Sequence, residues 1–119
     1  MDKRKVRGDR GENAVADWLV KRGCVIVEKQ FRCRWGEIDL IARTSRGVLC
    51  FVEVKTRSPS AIAPPREAVT ERKQRKLRDA ASWYLAQNEL DCPCRFDVAE
   101  VFPADAGGGR QINYIISAF

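Results

Sequence analysis

The sequence predicts an α/β fold, with a mixed β-sheet of about five strands flanked by helices. Two segments carry apolar residues three and four positions apart, the spacing of helices that bury one face. Several shorter segments are apolar throughout or alternate between apolar and polar residues, as strands do. Their order is a helix, three strands, a helix and two strands. Because 119 residues suit one domain of this kind, a single domain is predicted over residues 1–119.

The first helix is predicted over residues 11–22, with Gly23 ending it. Its apolar stripe consists of Val15, Ala16, Trp18 and Leu19. Glu12 lies three, four and seven residues before members of this stripe, so it shares their face and is predicted to point inward. An acidic residue near a helix N-terminus also favours the helix dipole, which explains its presence but not its orientation.

Three strands are predicted after this helix. CVIVEKQF, residues 24–31, has the composition of a strand, and GEIDLIA, residues 36–42, alternates between polar and apolar residues. VLCFVEVK, residues 48–55, is almost continuously apolar. The turn sequence TSRG between the last two predicts an antiparallel hairpin.

The second helix is predicted to be capped by Thr70 and to extend to about Asn88, after a Pro-rich loop over residues 58–67. Its buried stripe is Leu77, Ala80, Ala81, Tyr84 and Leu85. Extended backwards, the stripe reaches Lys73 and Gln74. RFDVAEVF and QINYIISAF are predicted to be the last two strands, joined by the loop PADAGGGR.

The chain is basic, with 22 Lys and Arg residues against 16 Asp and Glu residues and a net charge of +6. This balance favours polyanionic partners, nucleic acid first and acidic membrane surfaces second, although simple solubility explains a charge of this size equally well. No stretch approaches the roughly 20 apolar residues of a membrane span, and no apolar segment follows the basic start. We therefore expect a cytoplasmic protein with reduced thiols and no membrane partner.

The absence of histidine narrows the available chemistry. It excludes Ser-His-Asp and Cys-His catalysis, so proton transfer near neutral pH would need a shifted carboxylate, a lysine or metal-bound water. The five cysteines are scattered apart from Cys92 and Cys94, and no C-x-x-C pair is present. This spacing disfavours a zinc site.

The segment FVEVKTR, residues 51–57, places Glu53 and Lys55 inside the most apolar strand. Because strands have a period of two, the two side chains share a face. Burying either charge without a partner is costly. One explanation is a structural ion pair between Lys55 and Glu53 or a carboxylate of the neighbouring strand.

A metal site explains the same residues together with their surplus of negative charge. The hairpin would bring Glu37, Asp39 and Glu53 onto one sheet face, and the first helix offers Glu12 to the same region. Three or four carboxylates then face the single Lys55, which calls for a cation. Oxygen ligands of this kind suit Mg²⁺ or Mn²⁺, which can activate water and bind phosphate, while the lysine orients that water or stabilises the phosphorane charge.

Basic sequence surrounds these acidic residues, in the segment 66–78 and in the amino-terminal arm. A basic exterior attracts phosphate, and an acidic pocket holds the metal ion. Either basic run alone would be an ordinary solvated surface, but the combination is what phosphodiester hydrolysis requires.

The motifs GEIDLIA and FVEVKTR, in this order and spacing, resemble the PD-(D/E)xK nuclease superfamily, which has a restriction-endonuclease-like fold. The chain more closely resembles the YraN family of small uncharacterised bacterial proteins, which is related to archaeal Holliday-junction resolvases. The resemblance covers nearly the whole chain and includes GENAVADWLVKRG, KQRKL and RFDV. An E-x-K motif alone is weak, whereas the two motifs together are specific.

The resemblance implies a role for each matching residue. Asp39, Glu53 and the carbonyl of Val54 would bind Mg²⁺ or Mn²⁺. Lys55 would be the catalytic lysine, and Glu12 would help to hold the metal ion or its water.

Other features follow from the same resemblance. Glu37 would support these ligands or replace one of them. The proline of the superfamily name is absent, since Ile38 precedes Asp39, a departure that is common among resolvase-like members. Resolvase relatives act as dimers, so a homodimer is an expectation from the resemblance alone. Contacts to nucleic acid are predicted for Arg32, Arg34, Arg57, Lys73, Gln74 and Lys76.

Three hypotheses about function are open at this point. The first is a Mg²⁺- or Mn²⁺-dependent endonuclease acting on DNA, with branched or damaged DNA in repair or recombination as its candidate substrates. The second is a non-catalytic nucleic-acid-binding module on a nuclease-like scaffold, which would bind DNA in a salt-sensitive way without cleaving it. The third is an interaction domain whose carboxylates and lysine form only an ion-pair network.

Overall fold

The structure is a computed structural model that describes residues 3–57, 69–103 and 110–119, with side chains from residue 10 onward. Its elements are α1 (Lys3–Lys21), β1 (Val25–Cys33), β2 (Gly36–Arg43), β3 (Leu49–Thr56), α2 (Glu71–Gln87), β4 (Cys94–Val101) and β5 (Ile112–Ile115). This order confirms the predicted α/β class. The predicted Pro-rich loop over residues 58–67 and most of the loop before the last strand lie outside the described residues.

The strands form one sheet in the order β1-β2-β3-β4-β5. The pairs β1–β2, β2–β3 and β4–β5 are antiparallel, whereas β3 and β4 are parallel. Parallel neighbours need a long connection, and α2 lies on the connection between β3 and β4. The mixed sheet and the β2–β3 hairpin are therefore as predicted.

Each face of the sheet is covered by one helix. The face under α2 contains a buried cluster of Ile38, Ile41, Leu49, Phe51, Val69, Leu77, Ala80, Ala81, Tyr84 and Val98. The face under α1 contains a second buried cluster of Val15, Ala16, Leu19, Leu40, Ala42, Cys50, Val52, Ala99 and Val101. The predicted helix stripes lie in these clusters, with Trp18 and Leu85 partly buried at their edges. Burial of this apolar surface is the main favourable contribution to the fold.

α1 begins at Lys3 rather than at residue 11. The apolar stripe starts only at Val15, so periodicity gave no signal for the charged first turns, although Lys and Arg are good helix formers. Gly11 lies close to β3, because a Cβ there would be 2.8 Å from Thr56 Oγ1. This close approach places the next residue, Glu12, beside the sheet.

α2 has the ends that the sequence predicted. Thr70 is the N-cap, and its hydroxyl accepts the N–H of Lys73 at 3.2 Å. At the other end, the side chain of Asn88 donates to the carbonyl of Tyr84 at 2.8 Å. Within the described ranges, no helix is both long and apolar enough to cross a membrane.

β5 covers Ile112–Ile115 and not the whole of residues 111–119. The chain turns at Ser117, which has a φ of 52°. The N–H of Ser117 donates to the buried carboxylate of Asp97 at 2.9 Å. This bond holds the end of the chain against β4, so the strand stops earlier than its composition predicts.

Candidate metal centre

The carboxylate of Asp39 lies where the backbone pairing of β2 with β3 ends. Paired residues run from Arg43 and Leu49 to Leu40 and Val52. Beyond Leu40 and Val52, the strands are connected by a side chain and not by backbone pairing. The carboxylate of Asp39 accepts the backbone N–H of Val54 at 2.8 Å. Asp39 therefore lies between the two strands, next to the part of β3 that carries Glu53.

Glu53 is a buried acid with two lysine partners. Only 5% of its surface is exposed. The Nζ atoms of Lys55 and Lys73 lie 3.4 Å and 3.1 Å from the same oxygen, Oε1. The structural ion pair that the sequence allowed is thus present between Glu53 and Lys55. Lys73 adds a second ammonium group from α2.

The contact of Lys73 with Glu53 was missed from the sequence, where Lys73 was predicted only to contact nucleic acid. The available signal was its position on α2. Lys73 lies four residues before Leu77, which packs against the sheet, so both side chains are on the same helix face. A long side chain at that position can reach a strand residue beyond the end of the apolar cluster.

The electrostatics of Asp39 reveal a local surplus of negative charge. Burial, followed by the neighbouring charge of Glu53, raises its pKa to about 7, against the lowering effect of the hydrogen bond from Val54. The charges of Glu12 and Glu37 raise it as well. The pKa of Asp39 remains raised although two lysines lie near Glu53. A bound cation would therefore stabilise the ionised form of Asp39.

Glu12 lies at the same region of the sheet, half-buried as predicted. Its Oε2 accepts the side-chain N–H of Gln30, from β1, at 3.0 Å. Gln30 has a φ of 52°, a left-handed conformation that costs free energy for a residue with a side chain. The neighbouring Lys29 donates to Asn13 at 3.3 Å, so α1 and β1 are connected by two side-chain hydrogen bonds next to the acidic residues.

Glu37 has a recorded ion pair with an arginine of β1. It is paired with Arg32, its neighbour across β1 and β2, at 3.4 Å. Both side chains are largely exposed, at 66% for Arg32 and 44% for Glu37. Glu37 acts on Asp39 through its charge, and the structure records no direct bond between them.

The donor set fits a hard divalent ion that keeps part of its water shell. Among the described residues, no group of three Cys, Asp or Glu side chains could hold a metal ion by itself. Asp39 and Glu53 would supply two carboxylates, and Mg²⁺ is commonly bound by one or two carboxylates, water and substrate phosphate. The recorded contact of Val54 is made by its N–H and not by its carbonyl, so the carbonyl ligand remains a prediction.

All but one of the residues predicted to contact nucleic acid fall into two groups, exposed cations and a half-buried amide. Arg32, Arg34 and Lys76 are exposed, and Lys73 is half-exposed beside the acidic residues. Gln74 is half-buried and donates to the carbonyl of Val69 at 3.0 Å.

Arg57 belongs to neither group. Its Nε is 2.9 Å from the buried Glu100, and only 16% of its side chain is exposed. Its guanidinium is therefore committed to the interior, where one nitrogen, Nη2, is buried without a hydrogen-bond partner.

A protein-family model described as "Uncharacterised protein family UPF0102" matches residues 11–101, which span every strand of the site. The chain belongs to the UPF0102 family. A UPF0102 protein of Trichlorobacter lovleyi is 44% identical over 113 residues, covering 94% of this chain and 88% of its own. UPF0102 relatives in Clostridioides difficile and Symbiobacterium thermophilum are 40% and 50% identical, covering 97% and 84% of this chain and 97% and 85% of their own. The predicted resemblance to the YraN family is confirmed, because UPF0102 is that family. Membership of the nuclease superfamily stays a prediction.

One solved structure, of Pyrococcus furiosus SfsA in complex with Ca²⁺, shows a weaker similarity. It is 13% identical and covers 95% of this chain, which spans 62% of the SfsA chain. The TM-score is 0.39, too low for any statement about the fold or function of this UPF0102 protein.

Proposed function

We propose that this UPF0102 protein is a Mg²⁺- or Mn²⁺-dependent nuclease that hydrolyses phosphodiester bonds in DNA. Branched or damaged DNA in repair or recombination is the candidate substrate. The observation that supports this proposal most strongly is the presence of Asp39 and Glu53 where the pairing of β2 with β3 ends. Burial and the neighbouring charge of Glu53 raise the pKa of Asp39 to about 7, and shifted pKa values of this kind cluster at functional sites.

Each residue of the pair and its surroundings has a part in this chemistry. A bound divalent ion would polarise the phosphate and lower the pKa of a water molecule. Asp39 and Glu53 would hold that ion. Lys55, 3.4 Å from Glu53, would orient the attacking water and stabilise negative charge on the phosphorus oxygens. In the reaction, the water oxygen would bond to phosphorus and the water proton would pass to solvent. The bond to one ester oxygen would break, and that oxygen would take up a proton from solvent and leave as an alcohol.

A panel of labelled substrates tests the proposal. Duplex, single strand, flap and four-way junction are each incubated with Mg²⁺, Mn²⁺ or EDTA, with wild type beside Glu53→Gln. We expect metal-dependent cleavage that falls at least about 100-fold in the variant. Glu89→Gln is the matched control, since it removes the same charge from an exposed carboxylate that follows the end of α2. Equal cleavage by wild type and Glu53→Gln would contradict the assignment.

One observation favours a second function, a nucleic-acid-binding module without catalysis. Lys73 already contacts the Glu53 oxygen that a metal ion would use, so the carboxylate has internal cations. This hypothesis predicts salt-sensitive DNA binding and no cleavage with any divalent ion. An interaction domain, the third hypothesis, predicts neither metal binding nor DNA binding. Binding of Mn²⁺, followed by electron paramagnetic resonance, separates the nuclease from both alternatives.

A further inference from the structure

The turn between β1 and β2 presents an aromatic side chain to solvent. Only Arg34 and Trp35 lie between the paired residues Cys33 and Gly36. Trp35 is 44% exposed, and the guanidinium carbon of Arg34 lies 4.9 Å from the centre of its ring. A flat apolar ring beside a cation is thus exposed at the tip of a tight hairpin.

The position of this hairpin tip is fixed by α2. A Cβ on Gly36 would lie 3.3 Å from the backbone oxygen of Lys76. The hairpin backbone therefore lies close to the helix backbone, with little room for a side chain between them. Trp35, the residue before Gly36, is consequently held next to the first turns of α2.

Both neighbouring elements lead from the hairpin tip to the candidate metal centre. Trp35 precedes Asp39 by four residues on β2, about 13 Å for an extended strand. On α2, Lys76 follows Lys73 by about one helical turn, and Lys73 contacts Glu53. A strand of nucleic acid between the two places would pass Lys73 and Lys76, which can bind its phosphates.

Other aromatic rings of the protein stack on one another. Trp18 stacks on Tyr114 and Phe51 on Phe96. Among the described residues, the ring contact recorded for Trp35 is with Arg34. The exposed indole of Trp35 therefore offers a flat apolar surface that a second ring can stack on.

We propose that Trp35 and Arg34 form a stacking site for an unpaired nucleobase. This inference rests on the proposed function and specifies its substrate, which would contain unpaired nucleotides a short distance from the cleaved phosphate. Stacking on an aromatic ring needs an open base face, which bases inside a duplex do not offer. Phosphate contacts of the lysines position the strand but do not distinguish paired from unpaired DNA.

Binding without metal tests this site separately from catalysis. Fluorescence anisotropy in EDTA would compare a labelled single strand with a duplex whose ends are closed by hairpin loops. We expect Trp35→Ala to weaken single-strand binding about ten-fold and to leave duplex binding unchanged. Trp35→Phe should retain most of the affinity. Trp83→Ala is the matched control, because Trp83 is 40% exposed but lies about 15 Å along α2 from Lys73.

Abasic scanning locates the base. In a series of single strands that each lack one base, we expect one position at which the missing base weakens wild-type binding but not binding by Trp35→Ala. Equal effects of Trp35→Ala on single strand and duplex, or a loss in Trp83→Ala as large as in Trp35→Ala, would overturn the inference. Cleavage lost in Glu53→Gln together with such a result would leave the nuclease assignment intact. The expected scan without metal-dependent cleavage would support the stacking site and contradict the nuclease.

Discussion

The sheet buries carboxylates in two regions, and they differ in how their charges are satisfied. On β4, Asp97 and Glu100 are 0% and 3% exposed. Asp97 accepts hydrogen bonds from Arg95, from the hydroxyl of Tyr114 at 2.6 Å and from the N–H of Ser117. Around Asp39 and Glu53, by contrast, the two recorded ammonium partners both belong to Glu53.

Glu100 likewise accepts hydrogen bonds from Arg57 and from the side-chain amide of Asn113, each at 2.9 Å. Each β4 acid thus has cationic and neutral donors of its own. Asp39 has one recorded donor, the N–H of Val54, and a pKa raised by burial and by the charges of neighbouring acids. A buried acid in an apolar strand is therefore not sufficient to identify a site, and the balance of donors around it is the informative quantity.

The largest expected effect on stability concerns the satisfied region. Asp97→Asn removes the charge that pairs with Arg95 and weakens the bonds that hold the end of the chain. We expect a loss of about 3–5 kcal/mol in the free energy of unfolding, measured by urea denaturation, because breaking one side of a buried ion pair is costly. Asp79→Asn, on the exposed face of α2, is the control and should change little. A loss below about 1 kcal/mol would show that Asp97 is not a structural acid.

Replacing Asp39 should increase the free energy of unfolding, whereas replacing Asp97 should decrease it. Its pKa is raised in the folded protein to about 7, so folding favours the protonated form and the ionised form costs stability. This cost is absent at low pH, grows as the pH rises from the ordinary carboxylate pKa towards about 7, and levels off above that. Asp39→Asn removes it, and the amide oxygen can still accept the N–H of Val54.

Thermal unfolding in EDTA at pH 5 and pH 8 measures this difference. We expect Asp39→Asn to be more stable than wild type at pH 8 by at least about 1 kcal/mol, and the gain to shrink at pH 5. Added Mg²⁺ should reduce the gain, since a bound ion stabilises only the wild type. A variant less stable than wild type at pH 8 would show that Asp39 resembles the β4 acids.

A smaller effect is expected from Lys73, which competes with a metal ion for Glu53. Its pair with Glu53 is 43% exposed on the lysine side, so the competition is worth about 1 kcal/mol. Lys73→Met should therefore bind Mn²⁺ about five-fold more tightly than wild type, measured by isothermal titration calorimetry. Lys76→Met carries the same charge change one turn away, and equal tightening in both variants would argue against direct competition.

The smallest effect is expected at the exposed pair of Arg32 and Glu37. Arg32→Ala should change the free energy of unfolding by less than about 0.5 kcal/mol, because exposed ion pairs contribute little. If Arg32 contacts phosphate, the same variant should lower the slope of log affinity for DNA against log salt by about one. An unchanged slope would remove Arg32 from the predicted nucleic-acid surface.

Much of the fold could be predicted from the sequence because periodicity is a local property. The order of elements, the β2–β3 hairpin and the ends of α2 all follow from spacing and capping. The start of α1 does not, since its first turns have no apolar stripe. The length of β5 does not, because a hydrogen bond between Ser117 and Asp97 ends the strand.

The candidate site was predicted in its central residues but not in its partners. Glu53 and Lys55 were found because charges interrupt an apolar strand, and their ion pair is present. The same signal occurs in RFDVAEVF, where Asp97 and Glu100 interrupt β4, and it was not noticed. The acids of β3 and β4 differ in the distant residues that donate to them, such as Lys73 of α2 for Glu53 and Tyr114 of β5 for Asp97. The spacing of residues in the sequence does not identify these donors.

The parallel pairing of β3 with β4 has a kinetic consequence. The β2–β3 hairpin joins residues close in the chain, such as Arg43 and Leu49, and such hairpins form within about 1–10 μs. β3 meets β4 only across a far longer stretch, since Leu49 pairs with Cys94, and contacts between distant residues form slowly. We therefore expect the two carboxylates to meet early in folding, in the fast local part of the sheet. Lys73 is part of α2, on the long connection between β3 and β4. We expect the two acids to lack its ammonium group until β3 has paired with β4. Pulse-labelling hydrogen exchange can measure this delay.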